Sequence, residues 1–167
     1  DILSAEKIIL PGVGSFDNAM KRLHEYDLIS ALNEQVIHKR KPILGICLGI
    51  QLFSRKSEEG KEKGLGWLDA ETIRFRFDSE GSLKVPHMGW NNLSSVKGEL
   101  FKGFPLTGNV YFVHSYYAEV SIDTSAVCEY ILPFSAAMQK DNFYATQFHP
   151  EKSASEGEII LRNFLGL

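Results

Sequence analysis

Apolar residues follow two rhythms along this chain, and the switches between them mark its elements. Lys7-Ile8-Ile9-Leu10 is a short apolar run that reads as a buried strand leading into Pro11-Gly12-Val13-Gly14. Ser15 then offers an N-cap for a helix carrying Phe16, Met20 and Leu23, and Asp27 offers one for Leu28, Ile29, Leu32, Val36 and Ile37. Ile43 to Ile46 form the next strand and Leu48 to Phe53 the next helix, so the two strands are expected to run parallel through a helical crossover. After a polar, glycine-rich loop from Ser57 to Gly66, strand patterns dominate: Glu71–Phe77, Leu83–His87, Val110–Tyr117, Val127–Leu132 and Ala136–Gln139. Lys140-Asp141-Asn142 reads as a hairpin turn into Phe143–Phe148. Ser153 to Leu165 closes the chain as a helix, with Ser153 and Glu156 at capping-box spacing and Ile159, Ile160, Leu161, Phe164 and Leu165 as its apolar content. The expected fold is α/β, a mixed sheet flanked by helices.

A chain of 167 residues suits one domain spanning 1–167, large enough to bury a core without staples. The net charge of −3 comes from interspersed acidic and basic residues, which gives no footprint for nucleic acid. Neither a secretory leader nor an apolar run long enough for a bilayer is read in it, so no membrane association and a cytoplasmic location are expected. The sequence opens on Asp1 and enters a strand almost at once, which suggests an earlier true start. Cys47 and Cys128 lie far apart without metal-ligand spacing, against both a disulfide framework and a zinc site.

Chemistry concentrates where the second strand meets its helix. Gly45-Ile46-Cys47-Leu48-Gly49 predicts a sharp strand-to-helix turn with the Cys47 side chain presented from a strained backbone. The glycines leave room for strand and helix to pack, and the helix start is expected to favour a thiolate. Cys47 is therefore a candidate nucleophile, although an isolated motif of this kind equally fits a buried cysteine acting as a small hydrophobe.

A thiol nucleophile needs a base, and the base an orienter. Gln147-Phe148-His149-Pro150-Glu151 ends a strand, and residues two apart in an extended segment share a side. His149 and Glu151 can thus form such a pair, against the plainer reading of a turn at a strand end. His24 and His38 sit in polar helical contexts and read as solvated, while His87 and His114 lie in strands and read as core or interface residues.

The combination of Gly45-Ile-Cys-Leu-Gly-Ile-Gln51 with Gln147-Phe-His-Pro-Glu-Lys152 resembles the signature of class I glutamine amidotransferases. Within that class, Lys84-Val-Pro-His-Met-Gly-Trp-Asn91, Val113-His-Ser-Tyr-Tyr117 and Pro11-Gly-Val-Gly14 resemble the glutaminase subunits of imidazole glycerol phosphate synthases. The resemblance covers essentially the whole chain. Ile50 stands where the family usually has Met, and the family's first strand-helix unit has no counterpart here. The resemblance implies a three-layer, flavodoxin-like fold with a mostly parallel mixed sheet, and a triad of Cys47, His149 and Glu151. It also implies an oxyanion site from the N–H groups of Val13 and Leu48. Leu48 follows the nucleophile at the helix start, and Gly12 and Gly14 would let the Val13 peptide rotate, although these glycines also suit a plain tight turn.

Glutamine is the implied substrate, met by Gly12, Gly14, Gln51, Glu59, Ser115 and Tyr116. Gln51 lies one helical turn beyond Cys47 and can face the same pocket. Glu59 matches the family's partner for the substrate ammonium, although Ser57-Glu58-Glu59 also reads as a solvated loop. Neither metal nor organic cofactor is implied. The implied partner is a (β/α)8-barrel cyclase in histidine biosynthesis, docking near Trp90, Tyr111 and Lys152 as a heterodimer; for Tyr111 a core position is the competing reading. The same chemistry feeding a synthase of amidinated surface sugars is the nearest alternative. A non-catalytic binding module and a cysteine peptidase are the rivals from other classes.

Overall fold

A computed structural model describes residues 2–76 and 83–167. In chain order the first half carries β1 (Ile8–Gly12), α1 (Phe16–Glu25), α2 (Leu28–Asn33), β2 (Ile43–Cys47), α3 (Leu48–Phe53) and β3 (Thr72–Arg74). The second half carries β4 (His87–Asn92), β5 (Asn109–His114), β6 (Tyr116–Ala118), β7 (Thr124–Glu129), β8 (Pro133–Lys140), β9 (Phe143–Thr146) and α4 (Ala154–Leu165). Seven strands form one sheet in the order β1-β2-β9-β8-β6-β3, with β7 also paired to β8, and β4 and β5 form a separate antiparallel ribbon. The sheet is mixed, as expected. Parallel pairing is confined to β1–β2 and β2–β9, however, while β8–β9, β7–β8, β6–β8 and β3–β6 are antiparallel, so the described sheet is not mostly parallel. The cause is the hairpin at Asp141, which reverses β8 onto β9 without a crossover.

Side chains alternate across the sheet, which separates the core into two layers. Ile43, Phe143 and Ala145 pack with Phe16, Met20, Leu32, Val36, Ile50 and Phe53 on one face. Leu44, Ile46 and Tyr144 pack on the other with Phe112, Phe134, Phe148, Ile160 and Phe164. Helices α1 to α3 thus cover one face, and α4 with the β4–β5 ribbon covers the other, giving three layers. In α4 only Gly157, Ile160 and Phe164 are buried, so its docking rests on two large side chains, worth about 1.5–3 kcal/mol each. Leu165 points outward.

Several boundaries differ from those read in the sequence. Leu83–Pro86 is not strand, and the ribbon strand begins at His87 and runs on to Asn92. The predicted Val110–Tyr117 strand divides after His114 into β5, paired with β4, and β6, which joins the main sheet. In place of the predicted Val127–Leu132, the strand runs over Thr124–Glu129 and residues 130–132 bend into β8, and the predicted Phe143–Phe148 strand ends at Thr146. Phe77, the end of the predicted Glu71–Phe77 strand, lies outside the described residues. The α2 helix passes into a π turn, Glu34–His38, whose wider winding buries Val36 and leaves Ile37 exposed. Neither Ser15 nor Ser153 caps a helix through its hydroxyl: the Ser153 hydroxyl donates to the His149 carbonyl at 2.6 Å.

Candidate active site

The carboxyl ends of β1, β2 and β9 deliver their loops to one edge of the sheet, where open α/β folds place their sites. Cys47 is the last residue of β2 and precedes α3 directly. Its backbone has φ 55° and ψ −100°, a strained conformation for a side chain with a Cβ, held because the flanking strand and helix are packed on both sides. Gly49 makes that packing possible. A Cβ there would press into the Leu10 carbonyl of β1, and one at Gly45 would sit 2.8 Å from the Gly49 backbone.

Burial, not the helix start, governs the resting thiol. Cys47 is 8% exposed, and desolvation pushes its pKa up to about 11 against the opposing pull of the Leu48 N–H. The Glu151 carboxylate adds to the rise, and Lys152 and the Gln147 amide oppose it. The expected preference for thiolate is therefore reversed in the free site, because the loss of water around the sulfur outweighs the Leu48 N–H at the helix start. The thiol lies 3.9 Å from the Val113 carbonyl, to which it donates, and 3.8 Å from Gln147 Nε2.

His149 faces the same space from the segment after β9. Its Nδ1 lies 2.7 Å from Glu151 Oε1, and its Nε2 is buried with no hydrogen-bond partner among the described residues. The pair forms by a different route from the extended spacing read in the sequence, since Pro150–Lys152 is a 3₁₀ turn that curls Glu151 back onto the imidazole. Two clamps fix the His149 backbone. Its N–H donates to the Tyr111 carbonyl at 2.9 Å, and its carbonyl accepts from Ser153, whose oxygen in turn accepts the Tyr111 N–H.

Cys47, Leu48, Gln51, Glu59, His149 and the Gly12-Val13-Gly14 loop line a cavity of about 370 Å³, together with Pro86 and the run Val113 to Tyr116. That volume suits a small ligand. Val13 is 85% exposed and Gly14 has φ 106°, so the loop carries little packing. A second cavity, of about 680 Å³, lies on the α1 side of the same loop. Glu59 is not a free loop carboxylate: its Oε2 accepts the Phe16 N–H at 2.8 Å, taking the place at the start of α1 that Ser15 leaves vacant. Gln51 is buried, and its Nε2 donates to the Tyr116 carbonyl at 3.2 Å and to Gln147 Oε1 at 3.3 Å.

The three expected contact residues come together where the β4–β5 ribbon meets the Pro150–Lys152 turn. Trp90 and Tyr111 are cross-strand partners with ring centroids 6.0 Å apart, and Lys152 Nζ lies 6.0 Å from the Tyr111 ring centre. Trp90 is 55% exposed, and Tyr111 is half-buried, between the two readings that the sequence left open.

Sequence reading assigned no role to Gln147, Val113 or Pro86, all of which the fold brings to the cavity or the sulfur. Gln147 stood inside a noted motif, but its neighbours come from residues about a hundred positions away. His114 is predicted by the sequence to hold a core or interface position. It is buried, bonded to His87 and the Tyr116 carbonyl, and also reaches the cavity wall.

A cysteine on a strained strand-to-helix turn and a carboxylate-backed histidine that line one small cavity are the arrangement that thiol-dependent acyl transfer requires. Residues 4–166 match the family Glutamine amidotransferase class-I, and the chain belongs to that family. It is 52% identical over 164 residues to the imidazole glycerol phosphate synthase subunit HisH of Bacteroides fragilis, covering 98% of this chain and 81% of that protein. The corresponding subunit HisH 1 of Campylobacter jejuni is 48% identical, over 100% of this chain and 84% of its own length. Among solved structures, the glutaminase domain of the Trypanosoma brucei CTPS superposes with a TM-score of 0.63 at 17% identity, covering 99% of this chain and 73% of that one. That likeness establishes a shared fold. No helix among the described residues is long and apolar enough to cross a membrane.

Proposed function

We propose that this chain is the glutaminase of an imidazole glycerol phosphate synthase, hydrolysing glutamine to glutamate and ammonia and passing the ammonia to a (β/α)8-barrel cyclase in histidine biosynthesis. The observation that carries the reading is the convergence of Cys47 and the Glu151-backed His149 on one cavity of glutamine size. The close kinship with HisH subunits supports the particular pathway and partner.

In the proposed mechanism the Cys47 thiol exchanges the Val113 carbonyl for His149 Nε2 as its proton acceptor, and the sulfur attacks the side-chain amide carbon of glutamine. The oxyanion that forms is held by the N–H groups of Leu48 and Val13. The carbon–nitrogen bond then breaks as His149 returns the proton to the leaving nitrogen, releasing ammonia and a γ-glutamyl thioester. Water attacks the thioester, gives one proton to His149 and expels the sulfur, which recovers that proton. One glutamine and one water become one glutamate and one ammonia. Glu151 holds the imidazole in the tautomer with Nε2 free and stabilises it when charged. Glu59 faces the substrate ammonium, while Gln51 and the Ser115 and Tyr116 backbone shape the rest of the pocket.

The exposed Trp90, with Tyr111 and Lys152, forms the proposed docking face, next to the cavity from which ammonia must leave. The test is reconstitution with a barrel cyclase and its nucleotide substrate. Glutamate should form in step with imidazole glycerol phosphate; glutamate formation that ignores the cyclase and its nucleotide would contradict the assignment.

A further inference from the structure

We infer that Gln147 is a fixed hydrogen-bond donor to the reacting sulfur of Cys47, its amide orientation imposed by a one-way relay that starts at the Tyr116 carbonyl. The inference rests on the proposed role of Cys47 and extends it to a residue outside the triad. Gln147 is wholly buried on the segment after β9, so its amide has no water to turn toward. The orientation follows from what each neighbour can do. A peptide carbonyl only accepts, so the Gln51 atom 3.2 Å from the Tyr116 oxygen must be its NH₂. That same NH₂ lies 3.3 Å from the Gln147 amide, which must present its oxygen there. The Gln147 NH₂ is thereby aimed at Cys47 Sγ, 3.8 Å away. The Tyr116 carbonyl is itself held by His114 Nδ1 at 2.8 Å.

A donor locked at this place discriminates between the forms of the sulfur. An N–H at 3.8 Å binds a neutral thiol weakly, and the bond shortens and strengthens when the sulfur is charged. The thiolate arises twice per turnover, at attack and on collapse of the second tetrahedral intermediate, so Gln147 favours states along the reaction over the resting thiol. It works against the desolvation that raises the thiol pKa, alongside the Leu48 N–H and the charge of Lys152 and against the Glu151 carboxylate. Glu59, His114, Tyr116 and His149 are the other titratable residues lining the cavity among the described residues.

The experiment follows alkylation of Cys47 by iodoacetamide against pH in the full chain, read on the Cys47 peptide by mass spectrometry so that Cys128 does not interfere. Gln147→Met keeps the volume and removes the donor; Gln51→Met removes the relay but leaves the Gln147 amide in place. The Gln147→Met profile should move to higher pH, with about a tenfold lower rate at pH 8, the equivalent of one pKa unit. Gln51→Met should shift the profile in the same direction by a smaller amount, since the Gln147 amide is then present but free to turn. Coincidence of the Gln147→Met and wild-type profiles would overturn the inference, as would a wild-type profile in Gln51→Met, which would show that the relay does not set the amide. Wild-type protein gives an answer that needs no variant of Gln147 to fold: in ¹⁵N-glutamine-labelled chain, the Gln147 side-chain amide protons should shift as Cys47 titrates and should not in Cys47→Ala. A pH-independent signal in the wild type overturns the inference. Failure of the glutaminase reading would appear separately, as intact alkylation behaviour without glutamate formation.

Discussion

His149 Nδ1 and Glu151 Oε1 are 2.7 Å apart, yet the imidazole is 4% exposed and the carboxylate 48% exposed. The pair is a buried imidazole steered by a half-solvated carboxylate. The anion sets the tautomer through one hydrogen bond, and Gln at position 151 can still accept that bond through its amide oxygen. Glu151→Gln is therefore expected to slow glutamine turnover less than His149→Ala, which removes the proposed proton carrier and should cost about a hundred- to ten-thousand-fold. Steady-state kcat for the two variants with the cyclase bound checks this; equal losses would contradict the division of labour.

Glu59 bridges the start of α1 and the cavity. Glu59→Gln preserves an acceptor for the Phe16 N–H but removes the charge proposed to face the substrate ammonium. The expected result is a KM for glutamine raised by about tenfold or more with kcat little changed, the pattern of a lost ground-state contact of charge-assisted strength. An unchanged KM would return Glu59 to a purely structural role.

The Gly12-Val13-Gly14 loop has cavity space on two sides, and Val13 is almost free of packing. A loop so placed can present or withdraw its N–H, and a partner that binds the donor-in form more tightly would raise activity. Val13→Pro removes this N–H and should lower the cyclase-stimulated rate by about a hundred- to a thousand-fold while the basal rate falls far less. Undiminished stimulation in a folded, partner-bound variant would exclude Val13 as the switching donor.

Gly49 lies where α3 crosses β1, and a methyl group there would meet the Leu10 carbonyl rather than a movable side chain. Gly49→Ala should destabilise the fold by roughly 1–3 kcal/mol or more, lowering Tm by at least a few degrees in a domain of this size. Thermal unfolding followed by circular dichroism measures it, and an unchanged Tm would show that α3 can slide on the sheet.

Much of the site was legible because its parts are local. The strained turn at Cys47 follows from apolar strand, small residues and apolar helix written consecutively, and the reversal at Asp141 from polar residues between two β-prone runs. What escaped was set by partners distant in sequence. Ser153 and Glu156 have capping-box spacing, but the Ser153 hydroxyl is claimed by the His149 carbonyl and the Tyr111 N–H. Glu59 takes over the start of α1 from forty-three residues away, which no local pattern at Ser15 announces. Gln147 reads as one polar residue near a strand end; only the tertiary approach of Gln51 and Cys47 orients its amide. The thiol pKa follows the same rule, since local order promises help from a helix start and burial by the assembled sheet overrides it.

The central claim is that glutamine is cleaved by the Cys47 sulfur, and the most direct test is the rate of glutamate formation by Cys47→Ala beside the wild type, each bound to the cyclase with its nucleotide. The substitution removes only a sulfur at a turn whose packing is carried by Gly45, Gly49 and Leu48, so fold and partner binding should persist. Turnover is expected to fall by several orders of magnitude, to the residue left by binding and the oxyanion donors. Turnover within about tenfold of wild type in the folded, partner-bound variant would contradict the account.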